Sequence, residues 1–168
     1  MTPSLESWAS RPYQPEVSRM PRGIAVVIFN PREEVLLGLE AQRDQFRKRF
    51  KWNIQTETIN LFVDHDVNTA TVRLFHEELG TSMRKFSKYQ ESDHELIEWY
   101  TEMGIKFTFY CSSYLYEGKM ENAARLFHPQ NRKEIITHQW FPVTDLPESL
   151  ETGARLVIHE YRGLLWHK

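Results

Sequence analysis

The chain of 168 residues holds a single cysteine, Cys111. One thiol can neither build an internal disulfide framework nor supply a multi-cysteine metal site, so Cys111 reads as a small buried residue. Charge of either sign is not in excess. The formal net charge of −2 excludes a global attraction to nucleic acid, although a local patch can still act. No apolar run approaches the roughly 18 residues that mark a membrane span, so no membrane association is expected. Internal repeats and low-complexity tracts are also missing. The first 22 residues lack the apolar stretch of a secretory signal. Arg11, Arg19 and Arg22 hint at an organellar transit peptide, but Glu6 and Glu16 oppose that reading. With Pro3, Pro12, Pro15 and Pro21, residues 1–22 read as an extended arm that packs on the domain or on a partner. The expected location is intracellular, with cytoplasm and organelle both open.

What is present is a core. Apolar residues make up 40% of the chain and aromatics 13%, which argues against disorder. The length suits one domain, taken here as 23–168. Ile24-Ala25-Val26-Val27-Ile28-Phe29 is a near-continuous apolar run, the pattern of a strand buried on both faces. Asn30 to Glu34 is a turn, and Val35 to Leu39 a second strand, a pair that normally forms a hairpin. Met83 to Tyr89 reads as a strand, while Glu91 to Glu102 is ambiguous between helix and edge strand. Ile105, Phe107, Phe109 and Cys111 alternate with Lys106, Thr108, Tyr110 and Ser112, a strand pattern that continues through Tyr116. A further strand covers Ile135 to Phe141. A last helix follows, capped by Thr152, with Ala154, Val157, Ile158, Tyr161, Leu164 and Leu165 as its core stripe.

The stretch from His65 to Thr81 organises the rest. Val67, Ala70, Thr71, Leu74 and Phe75 recur at helical spacing. Asp66 can accept from free N–H groups at the helix start, and Gly80 can take the left-handed conformation that ends it. The predicted helix runs from Val67 to Leu79. Its polar face carries Arg73 and Glu77, four apart and therefore neighbours, with Glu78 beside them. Adjacent carboxylates on a rigid helix can hold a hard divalent cation such as Mg²⁺ or Mn²⁺. The same residues also suit a solvated face with one ion pair.

Arg73-x-x-x-Glu77-Glu78-x-Gly80 resembles the core of the Nudix box, G-x5-E-x7-R-E-U-x-E-E-x-G-U, where U is a bulky aliphatic residue. Arg73, Glu77, Glu78 and Gly80 fit, and Phe75 fits U loosely. Ile59 stands at the first Gly, His65 at the first Glu, Leu74 at the Glu of the R-E pair, and Thr81 at the last U. The flanks add to the resemblance. The strand pair at Gly23–Leu39 looks like the opening hairpin of a Nudix domain. Trp52 to Thr56 resembles the Trp-led strand before its Gly-rich loop, although Thr56 to Asn60 contains no glycine. Glu134-x5-Trp140-Phe141-Pro142, followed by Leu146-Pro147, resembles the C-terminal part of such domains. The implied fold is a Nudix-like α/β/α sandwich with a mixed sheet.

The resemblance implies two functions. One is a Mg²⁺-dependent pyrophosphohydrolase acting on a nucleoside diphosphate linked to another group, such as a dinucleoside polyphosphate, a nucleotide sugar or an RNA 5′ end. Glu77 and Glu78 would then be metal ligands with Arg73 orienting them, and Glu134 or Glu117 would supply a third carboxylate. His65 would be a further candidate ligand. The other is a weakened or inactive member that binds nucleotide, RNA, a protein partner or a second copy of itself, with Mg²⁺ or Mn²⁺ binding weak or lost. The second is favoured at residue level, because a leucine at position 74 can neither ligate a cation nor accept a proton. Leucine and glutamate have similar helix propensity, so the exchange is expected to leave the helix intact. Candidate substrate contacts are Trp52, Glu134 and the basic group Arg47, Lys48 and Arg49. That group lies in Arg43 to Trp52, where five cations alternate with Phe46, Phe50 and Trp52. Such a stretch suits phosphate or single-stranded RNA, with cations on the backbone and rings on the bases. It equally suits a solvated loop anchored by its rings.

Overall fold

The run from Gly23 to Phe29 forms strand β1, and all seven of its residues are buried. The computed structural model describes residues 23–40, 50–59, 64, 66–88, 95–100, 106–120, 127 and 135–165. The arm expected over 1–22 lies outside them. Successive side chains of a strand point to opposite faces. Ile24, Val26 and Ile28 accordingly enter one core cluster, and Ala25, Val27 and Phe29 enter the other. A continuous apolar run is therefore what this strand requires.

Seven other described strands complete the sheet. They are β2 (Glu34–Glu40), β3 (Lys51–Asn53), β4 (Gln55–Thr58), β5 (Phe86–Lys88), β6 (Glu95–Tyr100), β7 (Lys106–Tyr116) and β8 (Ile135–Pro142). All eight belong to one mixed sheet. β1 runs parallel to β7 from Gly23↔Phe109 to Phe29↔Leu115 and antiparallel to β4. β2 is antiparallel to both β3 and β8. The expected β1–β2 hairpin is present but splayed, with ladder pairing confined to Phe29↔Val35. The strands diverge because each finds a longer partner elsewhere. Asn30 holds the turn: its Oδ1 accepts from the backbone N–H of Arg32 at 2.9 Å and of Glu34 at 3.1 Å. Glu33 completes the turn in the left-handed region, with φ 60°.

The stretch from 83 to 89 begins not as a strand but as a 3-10 turn, Met83–Lys85, and joins the sheet at Phe86. Phe86 is the anchor, with its ring centroid 4.8 Å from that of Phe75. The ambiguous 91–102 region contains β6, antiparallel to β7. β7 alternates as expected. However, Tyr110, Tyr114 and Tyr116 are buried on the face opposite Cys111, so both faces are covered.

Two helices cover the described sheet. Helix α1 (Val67–Leu79) has the predicted bounds. Asp66 Oδ1 accepts from the Thr69 backbone N–H at 2.8 Å and from its hydroxyl at 2.9 Å. At the other end Gly80 adopts φ 65°, and the N–H groups of Gly80 and Thr81 return to the carbonyls of His76 and Phe75, the paired bonds of a glycine stop. Val67, Ala70, Leu74, Phe75 and Leu79 pack on the Ile24 face of the sheet. Helix α2 (Thr152–Leu165) packs Ala154, Val157, Ile158 and Tyr161 on the Phe29 face. The Glu151 carbonyl accepts from the Arg155 N–H at 3.2 Å, which starts the hydrogen-bonded turn one residue before Thr152. A mixed sheet between two helix layers is the α/β/α sandwich expected from the sequence. Among the described residues no helix is long and apolar enough to cross a membrane.

Candidate functional site

The polar face of α1 is organised by one guanidinium. Arg73 donates from Nε to Asp64 Oδ1 at 3.0 Å and from Nη2 to Asp64 Oδ2 at 2.7 Å. This two-bond fork is the strongest arginine–carboxylate geometry. Nη1 turns the other way, to Glu77 Oε2 at 3.1 Å and Glu57 Oε1 at 3.4 Å. Three carboxylates from three segments thus meet one cation. α1 supplies Glu77 at the expected i,i+4 spacing, β4 supplies Glu57, and the segment before the helix supplies Asp64.

Strand alternation explains Glu57. Ile54 points into the α2-side cluster, whereas Gln55 meets His138 on the α1 side. Glu57 lies two residues beyond Gln55 and shares its face. The expected loop over Thr56 to Asn60 is mostly strand, since Gln55 to Thr58 pair with β1. Non-glycine side chains are at home there.

The electrostatics follow from packing. Asp64 is 1% exposed and Glu78 7%. A buried carboxylate needs partners, and Asp64 has the arginine fork. Its hydrogen bonds hold Arg73 even further above the ordinary guanidinium range. Glu57 is pushed up, first by burial and then by a hydrogen bond with Glu77; the Arg73 charge pulls it back.

Leu74 takes no part. It is 0% exposed and packs among Ile24, Val26, Ile28 and Leu36. The expectation that glutamate would be tolerated at position 74 therefore needs correction. Helix propensity is not the controlling term, because an ionised side chain there would lose its hydration inside the core.

Arg73 and Glu77 pair one turn apart on the polar face of α1, whereas Glu78 is among the buried residues of the helix. Trp52 is elsewhere. Its ring meets Phe141 edge-on at 4.8 Å on the α2 side of the sheet. Its backbone bonds to Ser149 and Glu151 at 2.8 Å each. Glu117 sits at the β5 end, accepting from the Ser87 hydroxyl at 2.8 Å. His65, Arg47, Lys48, Arg49 and Glu134 lie outside the described residues. Sequence reasoning missed Asp64 and Glu57. Asp64 was within reach, because it directly precedes His65 at the position where the box pattern asks for an acid. Glu57 carried no local signal, since only the β1–β4 pairing brings it to the helix.

Asp64, Glu57, Glu77 and Glu78 are the described carboxylates nearest to forming a divalent-cation site. Among the described residues no three carboxylate, histidine or cysteine side chains converge as one. Asp64, Glu57 and Glu77 direct oxygens at Arg73 instead. As arranged, the described residues do not fit Mg²⁺ or Mn²⁺.

No family model matches the sequence, and no curated protein matches it. Solved structures do. The NUDIX domain of Shewanella oneidensis NrtR, in complex with ADP ribose, aligns with a TM-score of 0.64 at 15% identity, covering 91% of this chain and 94% of that one. A NUDIX hydrolase from Nitrosomonas europaea aligns at 0.60 and 17% identity, covering 86% and 90%. A C. elegans Ap4A hydrolase binary complex aligns at 0.58 and 12% identity, covering 85% and 97%. At these identities the likeness establishes the fold: this chain has the Nudix fold.

Proposed function

We propose that this chain, a Nudix fold, binds a ligand containing a nucleoside diphosphate and hydrolyses it very slowly or not at all. The observation that carries this reading is the pair of neighbours on α1. Leu74 is sealed in the core, while Arg73 takes up the carboxylates of Asp64, Glu57 and Glu77. Catalysis of phosphate-ester cleavage by a bound metal needs free oxygen ligands around the cation. Here both Asp64 oxygens and one oxygen each of Glu57 and Glu77 face the guanidinium. The ligand class is suggested by two structural neighbours, one in complex with ADP ribose and one an Ap4A hydrolase. The basic group Arg47, Lys48 and Arg49 supplies cations for such a ligand or for RNA. A protein partner or a homodimer is compatible with the same loss of turnover.

A second reading is a working pyrophosphohydrolase. Glu57 favours it, as a third carboxylate beside Glu77 and Glu78 with its proton affinity raised. One experiment separates the two. Binding of ADP-ribose and Ap4A is measured by calorimetry, and phosphate products are assayed in parallel with Mg²⁺ and Mn²⁺. The proposal expects saturable binding with turnover near background. Robust metal-dependent turnover that Glu78→Gln eliminates establishes the hydrolase instead.

A further inference from the structure

β8 closes one side of the sheet. It pairs with β2 along its whole length, from Glu34↔Pro142 to Glu40↔Ile135, and among the described residues no strand lies on its other side. The direction of its backbone groups follows from one hydrogen bond just past the strand. The Val143 N–H donates to the Glu33 carbonyl at 3.1 Å, in the same register as the ladder. In an antiparallel pair, bonded residues alternate with residues whose N–H and C=O face away. Phe141, Gln139 and Thr137 therefore bond to β2, whereas Trp140 and His138 turn their backbone groups outward. Pro142 holds an outward position too, where its missing N–H does no harm. The one described contact to the outward groups of His138 and Trp140 is the Thr137 hydroxyl, 3.5 Å from the His138 carbonyl.

Sheet edges that stay single are normally blunted by charge, proline or a bulge, because an open ladder invites another strand. The opposite edge of the described sheet follows that rule, since β5 and β6 include Lys88, Glu95 and Glu98. β8 reads Ile-Ile-Thr-His-Gln-Trp-Phe-Pro and contains no acidic residue, lysine or arginine. Burial holds His138 neutral near pH 7. The blunting devices of β8 sit at its two ends. Pro142 closes one, and a register shift between Leu39 and Glu40 makes Ile136 an extra, bulged residue at the other. Ile136 is 46% exposed, and Thr137 and Gln139 are exposed as well. The middle of the strand, Thr137 to Phe141, keeps a regular register and an open edge.

We propose that the open edge of β8 binds a second copy of this chain, by antiparallel pairing of β8 with β8 about a two-fold axis at Gln139. Self-complementarity selects a second copy over an unrelated strand. With Gln139 on the axis, His138 of each protomer stands opposite Trp140 of the other. Those are the two residues with outward backbone groups, so each outward N–H meets a carbonyl. Moving the axis by one residue brings in either Pro142, which has no N–H, or the bulged Ile136. An axis also sets a residue beside its own copy, which like charges would oppose. Here the axis residue is an exposed, uncharged glutamine. The bulge and the proline end the pairing after one short ladder, so the association closes as a dimer. This interface does not depend on nucleotide binding.

The test is the mass of the full-length protein in solution. Sedimentation equilibrium from micromolar to near-millimolar protein is expected to show a particle of twice the 20.1 kDa chain. Gln139→Lys changes an exposed side chain and puts two positive charges on the axis. It should weaken the dimer about tenfold or more, and high salt should restore part of the loss. Cysteine crosslinking checks the register, because the native Cys111 is buried. In Gln139→Cys the new residue faces its own copy at a non-hydrogen-bonded pair, with Cα atoms about 4.5 Å apart, within disulfide reach. Mild oxidation should give a covalent dimer. In Thr137→Cys the new residue faces the partner's Phe141, and the two cysteines lie roughly 13 Å apart along the strands, so little crosslinking is expected. A wild-type monomer at every concentration overturns the proposal, and so does a dimer that Gln139→Lys leaves intact. Crosslinking through position 137 in place of 139 overturns it as well. If Gln139→Lys fails to fold by thermal melting, the wild-type mass and the two cysteine variants decide.

Discussion

Arg73 reaches back nine positions to Asp64 and grips both carboxylate oxygens, at 3.0 and 2.7 Å. Asp64 is fully buried, whereas the arginine retains 17% of its side-chain exposure. The acid therefore depends on the arginine more than the reverse. Arg73→Met should destabilise the fold by about 3–5 kcal/mol, the usual cost of orphaning a buried charge. Removing both charges in Arg73→Met with Asp64→Leu should cost clearly less than the sum of the single changes. Urea unfolding of the four proteins measures the coupling, and additive losses would show that the fork does not hold the two residues together.

The packing of α1 gives a second prediction. Phe75 is fully buried and meets Phe86 and Tyr114 edge-on at 4.8 and 5.3 Å. Phe75→Ala should cost roughly 3–5 kcal/mol. Leu74→Met should cost under about 1.5 kcal/mol, because volume is kept. Leu74→Glu should be far worse than Leu74→Met. Thermal melts that rank the two Leu74 variants equally would contradict the burial argument.

His138 sets a pH window. Its folded value of about 4 lies below the ordinary 6.5, so between those values the unfolded chain binds more protons. Stability from this group is thus complete above pH 6.5 and is lost as pH falls toward 4. Its share amounts to something on the order of 3 kcal/mol. Glu57, raised instead, acts with the opposite sign and blunts the net slope. Comparison with His138→Leu isolates the histidine. Identical pH profiles of wild type and variant between 4 and 6.5 would remove its assignment.

The basic group Arg47, Lys48 and Arg49 is tested by salt. If it contacts phosphate, replacing all three by Ala should weaken binding of ADP-ribose or a short RNA and flatten the dependence on salt concentration, because fewer counterions are released. Filter binding across a salt series gives both quantities. An unchanged slope returns the patch to the role of a solvated loop.

Local rules made much of this fold legible in the sequence. The bounds of α1 follow from a side-chain cap at Asp66, a helical apolar stripe and a glycine stop. β1 follows from a continuous apolar run and β7 from alternation. Long-range pairing was not legible. Nothing in Asn30 to Leu39 reveals that β2 leaves β1 for β8, and nothing around Glu57 reveals a helix beside it. The site was read in half for the same reason. Arg73 and Glu77 are four residues apart and belong to one turn, but Asp64 and Glu57 arrive through a non-helical approach and a strand. Leu74 shows the limit of propensity, which weighs backbone preference and is silent on which face meets the core.

The parallel ladder between β1 and β7 has a consequence for how the chain is made. β1 is seven buried residues long, and its parallel partner ends near Leu115. During synthesis this sticky apolar segment leaves the ribosome well before its parallel partner and waits while α1, β5 and β6 are still being translated. Parallel pairing across such a separation closes slowly, and unpaired apolar strands invite aggregation meanwhile. The antiparallel contact with β4 becomes available much earlier and shields one edge of β1 during that interval. Truncation after residue 60 should leave nascent chains that depend on chaperones, whereas protease resistance should appear only once β8 and α2 have been made and close the Phe29 face.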